Sequence, residues 1–167
     1  MTWLGKQQST VFVGQAVEYP GTAMTNTLSE VPKDKLLELP VEEDFQLGFS
    51  IGVALSGFKP VSIFPRWNFL LLAMNQLVNH LDKMGDLMGS NFPSMMIRTS
   101  VGSQRPLHPG SQHVGNFTRS VQAICPNINF VELLEPEEIM PAYELAFSRD
   151  DGRSTVLVEW GDFYNEK

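Results

Sequence analysis

"LPVEEDFQLGFSIGVALSGFKPVSIF", Leu39 to Phe64, decides how the chain folds. It opens on a proline and three acids, Glu42, Glu43 and Asp44. Phe45, Leu47, Phe49, Ile51, Val53, Ala54 and Leu55 follow, spread over more than one helical face. Gly48, Ser50, Gly52 and Ser56 lie between them. Acids in a first turn suit the positive end of a helix dipole. The stretch therefore reads as a buried helix that something approaches closely, and Gly57 stops it. "KPVSIF" then reads as a strand, broken by Pro65.

Outward from that stretch the same alternation continues. "TVFVG" (10–14) is a short β-branched strand, "EYPGTAMTNT" (18–27) a loop, and "KLLEL" (35–39) a short extended segment. Downstream, "NFLLLAMNQLVNHLDKMG" (68–85) predicts a long helix and "PSMMIRTS" (93–100) a strand. The stretch 101–116, "VGSQRPLHPGSQHVGN", is a long loop, of the kind that is functional in compact domains. "FTRSVQAI" (117–124) is a short helix, "NINFVELL" (127–134) a strand, and 135–152 a helix opened by proline and acids. "STVLVEW" (154–160) is the last strand. Apolar strands alternating with helices predict an α/β fold of three layers: a mostly parallel sheet with helices on both faces. No repeat or second domain is visible, so residues 1–167 read as a single domain.

Composition narrows the function. The chain is 43% hydrophobic and 19% charged, which favours a packed core over disorder. A net charge of −7 argues against non-specific nucleic-acid binding and gives no sign of a membrane surface. One cysteine, Cys125, excludes an internal disulfide and points to a reducing compartment, the cytoplasm. The first residues lack the apolar run of a signal peptide. Glycine fingerprints for dinucleotides, P-loop nucleotides and hydrolase nucleophiles are missing.

Ligands of parallel α/β sheets bind outside the strands' C-terminal ends. Three segments belong there: Pro40–Asp44, Phe64–Phe69 and Val101–Asn116. Glu43 precedes the small, apolar helix, so its carboxyl sits partly buried, where it can hold or share a proton. Trp67 and Phe69 are core residues or ring-stacking platforms. His80 reads as solvated or capping. His108 and His113 stand five apart in a loop, which is poor metal spacing. A loop histidine suits an anion or a proton better.

Several segments together resemble one family. "LPVEEDFQLGFSIGVALSGFKPV" resembles the P-x-x-E helix-and-glycine run of the transketolase-like pyrimidine-binding domain, found in thiamine-diphosphate enzymes. "FPRWNFLLLAMNQLVNHLDKM", "MMIRTSVG", "GSQHVGNF" and "EPEEIMPAYELAFSRDDGRSTVLVEW" are similar to successive segments of the same domain, in order. The version in the beta subunits of 2-oxoacid dehydrogenases is nearest in pattern. The resemblance implies thiamine diphosphate as cofactor and Glu43 as the glutamate that activates its aminopyrimidine. It implies that Phe69, with Trp67 beside it, faces the pyrimidine, that Val41 packs beside the ring, and that His113 faces substrate or acyl acceptor. Ala16 and Asn75 stand where the family usually has acids. The chain lacks the "GDG…N" magnesium motif. A partner subunit carrying the diphosphate-binding domain is therefore expected to hold the diphosphate and Mg2+, with the chain inactive alone. The substrate class implied is a 2-oxo acid or a ketose. The alternative is a non-catalytic interaction or regulatory module that kept the fold.

Overall fold

A computed structural model describes residues 1–20, 22–88, 92, 94–102, 104 and 108–165. In chain order its first elements are α1 (Thr2–Gly5), β1 (Thr10–Gly14), α2 (Ala23–Asn26), β2 (Leu36–Glu38), α3 (Glu43–Leu55) and β3 (Lys59–Ile63). They continue as α4 (Trp67–Leu70), α5 (Met84–Met88), β4 (Met96–Val101), α6 (Thr118–Ile124), β5 (Asn129–Glu132), α7 (Pro136–Ser148) and β6 (Thr155–Trp160). The strands form one sheet in the order β2-β1-β3-β4-β6-β5. Every pairing is parallel. The sequence predicts a mostly parallel sheet; no pair here is antiparallel, because each connection crosses over the sheet instead of turning back as a hairpin.

Strand side chains alternate between the two faces. Ile97, Val156 and Val158 point to one face, under Leu47 and Ile51 of α3, Trp67, Leu77 and Val121 of α6. Phe12, Val61, Met96 and Leu157 point to the other, under Leu4 of α1, Met24 of α2 and Tyr143 of α7. Two cores on one sheet make the three-layer α/β fold expected from the sequence.

Local chemistry sets the element ends. Gly57 has φ +91°, a conformation glycine adopts cheaply, and it closes α3. Glu135 and Glu138 form a reciprocal capping box ahead of α7, with Pro136 in the first turn. At the far end of α7 the Lys59 ammonium donates to the carbonyls of Phe147 and Arg149. A cation there complements the helix dipole and ties α7 to the start of β3.

Two sequence readings need correction. "EYPGTAMTNT" is not all loop: the Thr22 hydroxyl accepts from the Thr25 amide and caps the four-residue α2. Residues 67–88 are helical as expected but not one regular helix. Tight 3₁₀ turns at Leu71–Ala73 and Leu81–Lys83 flank a wide π turn at Gln76–His80. Of the loop at 101–116, residues 103 and 105–107 lie outside the described residues.

A buried ion pair bridges β4 and β6. Arg98 grips Glu159 with two bonds, Nε at 2.9 Å and Nη2 at 2.7 Å. Tyr143 donates to the same carboxylate at 2.5 Å, and Tyr164 donates to its other oxygen. Arg98 also donates to Thr27 at 2.8 Å. Burial alone would raise the Glu159 pKa, but Arg98 and the two phenols hold it below the ordinary value.

Candidate functional site

β1 leads leftward to β2, and β3 leads rightward to β4, so the chain parts at the C-terminal ends of β1 and β3. Such a switch point is where parallel sheets leave a crevice. Gly14 ends β1 there, and a Cβ on it would come within 2.6 Å of the Ile63 carbonyl. Only a glycine lets the two strand ends lie this close.

The loop after β1 is shaped by a carboxylate. Glu38, at the end of β2, accepts from the amides of Ala16 at 2.6 Å, Val17 at 2.8 Å and Glu18 at 2.9 Å. Ala16 is held in the left-handed region, at φ +53°. The Glu38 role was missed in the sequence. Its signal is an acid closing a short strand, two residues before Pro40.

Glu43 begins α3 and is 5% exposed. Its carboxylate has no hydrogen-bond or ion-pair partner among the described residues. The residue is packed away while its carboxylate oxygens keep contact with solvent, which leaves them open to a ligand at the crevice. Its neighbours are engaged elsewhere: Asp44 accepts from Gln76 at 3.1 Å, joining α3 to the π turn. Beneath α3, buried Gln46 and Ser50 bond to Ser62 of β3.

The turn after β3 delivers two aromatics to opposite destinations. Trp67 is 1% exposed, stacked on Phe130 with centroids 6.5 Å apart, and its indole N–H donates to Thr118 at 3.1 Å. The sequence places Trp67 among the cofactor-facing residues; the structure gives it to the core, because its ring bridges α4 to α6 and β5. Phe69 is only partly buried, and its ring lies 5.7 Å from that of His113. The loop histidine and the aromatic turn therefore do converge.

His113 is clamped at both nitrogens. Nδ1 lies 3.1 Å from Asn68 Oδ1, and Nε2 lies 3.1 Å from Gln112 Nε2. The amide nitrogen can only donate and the amide oxygen only accept. Both bonds are satisfied together when the imidazole carries its proton on Nδ1. Asn68 and Gln112 were missed by sequence reasoning because neither follows a motif. His108 is exposed, and its Nδ1 accepts from the Gly110 amide.

Val41, in the turn before Glu43, is 79% exposed. Along the outer side of α3, Phe45 is 50% exposed and pairs with Phe49 at 5.9 Å. Phe49, Gly52, Val53 and Phe58 line an apolar groove of about 420 Å³ there. No helix among the described residues is long and apolar enough to cross a membrane.

A scan against protein-family models finds no match. The chain is 31% identical over 134 residues to a pyruvate dehydrogenase E1 component subunit beta of Gracilaria tenuistipitata var. liui, covering 80% of this chain and 40% of that protein. It is 32% identical over 132 residues to the same subunit of Porphyra purpurea, covering 78% and 38%. The chloroplastic subunit beta-4 of Oryza sativa subsp. japonica is 29% identical over 167 residues, covering 97% and 40%. The chain thus spans about two fifths of these curated relatives. The rice relative works in a plastid by name, so kinship to this group does not confine a chain to the cytoplasm. Among solved structures, a split-gene transketolase in an inactive beta4 tetramer superposes with a TM-score of 0.62 at 11% identity, covering 95% of this chain and 48% of that one. Benzoylformate decarboxylase from Polynucleobacter necessarius gives 0.65 at 17%, covering 95% and 28%. Taken together, the alignment to part of the E1 beta subunits and the six-stranded parallel sheet support the resemblance of this chain to the transketolase-like pyrimidine-binding domains of the thiamine-diphosphate-dependent enzymes.

Proposed function

We propose that the chain supplies the pyrimidine-binding half of a thiamine-diphosphate site in an enzyme of 2-oxoacid dehydrogenase or transketolase type. The observation that carries this reading is Glu43: a residue only 5% exposed whose carboxylate has no partner among the described residues, at the switch point of a parallel sheet. The residues around it fit the cofactor. Glu43 is the group that would share a proton with the aminopyrimidine, while Val41 and Phe69 would give it apolar surface. Bound thiamine diphosphate supplies a nucleophilic carbon, and the protein supplies orientation and proton control. His113, held by Asn68, keeps Nε2 for a proton from substrate or acyl acceptor once Gln112 turns away.

The diphosphate and its Mg2+ would fall to a partner subunit carrying the "GDG…N" motif, a reading supported by the relatives being named as subunits. The exposed Phe45, Phe49 and Phe58 support a partner, because contiguous apolar surface on one side of a domain is costly in water. The test is Glu43→Gln in the assembled enzyme. Turnover is expected to fall by about 10²–10⁴-fold with folding and assembly intact. Full turnover in that variant would turn the reading toward a non-catalytic module.

A further inference from the structure

Beside the Glu43 rim lies a second cleft that the cofactor reading does not use. It has a volume of about 220 Å³ and opens where β3, β4 and β6 end. Thr22, Arg66, Ser100, Gly102, Gly161 and Tyr164 line it. Gly102 and Gly161 leave room by having no side chains. Ser100 and Tyr164 are already satisfied, donating to the Pro65 carbonyl at 2.7 Å and to Glu159 respectively. The lining side chain with donors to spare is Arg66.

The Arg66 guanidinium gives one hydrogen bond, from Nη1 to the Gly102 carbonyl at 3.2 Å. It forms no ion pair among the described residues. Other arginines that leave solvent do pair: Arg98 with Glu159, and Arg149 with Asp151. Asp162, near Gly102, accepts instead from the Gln104 amide. Burial lowers the Arg66 pKa from its ordinary value, and no carboxylate offsets it. A half-buried guanidinium with one hydrogen bond retains several donors in a planar fork matched to oxyanions. We propose that the Arg66 cleft binds a small oxyanion, a carboxylate or a phosphate, at the C-terminal edge of the sheet. The volume limits the ligand to a few heavy atoms, well below a drug-sized molecule. Arg66 stands just ahead of α4, so the ligand lies within one turn of Asn68 and Phe69.

The inference is tested on the chain alone, without thiamine or partner, so it stands or fails separately from the proposed function. Amide chemical shifts are followed during titration with inorganic phosphate and, separately, with pyruvate, at ionic strength fixed with sodium chloride. Saturable shifts centred on Gly102 and Gly161 are expected with one of the two, which identifies the anion class. Arg66→Met is expected to weaken that affinity about tenfold, and Arg66→Lys, which keeps charge but loses the fork, to fall between. If Arg66→Met does not fold, Arg66→Lys alone carries the comparison. Shifts that never saturate with either anion, or affinity unchanged in a folded variant, overturn the proposal and leave Arg66 as a clip between two loops.

Discussion

Glu38, Glu43 and Asp44 are three acids within seven residues, and each has a different task. Glu38 organises the loop after β1 through three amides, Asp44 links α3 to the π turn, and Glu43 is left without a described partner. The sequence singles out Glu43 because a small, apolar helix follows it. Glu38 is less legible, since its amide partners sit 20 to 22 residues earlier. Replacing Glu38 by Gln weakens three charge-assisted bonds and is expected to cost about 1–3 kcal/mol, read from urea unfolding. Trp67 and Phe69 show the limit of spacing alone. They stand two apart, and only Thr118 and Phe130, distant in sequence, decide that Trp67 turns inward. Asn68 holds the imidazole that Phe69 flanks. Asn68→Ala is expected to reduce kcat/KM of the assembled enzyme about fivefold, near 1 kcal/mol, while the melting temperature stays put. A change in melting temperature with kinetics untouched would make Asn68 merely structural.

At the scale of elements, strand and helix order was readable because each strand is a short apolar run bounded by glycine, proline or polar residues. The one-turn α2 was not, since four residues show no periodicity. Nor was the π turn, whose cause is tertiary: Gln76 reaches across to Asp44 and packs over Gly48. α3 has one side under the core and the other carrying Phe45 and Phe49. Phe49→Asp is expected to leave the isolated chain as stable as before but to weaken assembly by about 2 kcal/mol or more, measured by sedimentation with the partner. For α7, the Lys59 ammonium satisfies terminal carbonyls that solvent reaches poorly. Lys59→Met is expected to destabilise the fold by about 1–2 kcal/mol, visible in thermal melts.

For the whole molecule, stability depends on pH through the buried Arg98–Glu159 pair. The Glu159 pKa is lower folded than unfolded, so its contribution is complete above the ordinary carboxylate pKa of about 4. It is lost as pH falls further, through the folded value. Tyr143 and Tyr164 are raised by burial and by Glu159, so their contribution is complete below about pH 10 and lost above it. Unfolding free energy against pH is expected to show both limbs. Glu159→Gln is expected to cost about 3–5 kcal/mol at neutral pH, because Arg98 stays buried without its counter-charge, and to flatten the acid limb. The central claim, that this chain is one half of a thiamine-diphosphate site, concerns the molecule with its partner. Its most direct test is to isolate the chain from its native cells and measure bound thiamine diphosphate. The account predicts a second chain bearing "GDG…N", with about one cofactor per pair of chains. A chain recovered alone or only with itself, free of thiamine diphosphate, would contradict it.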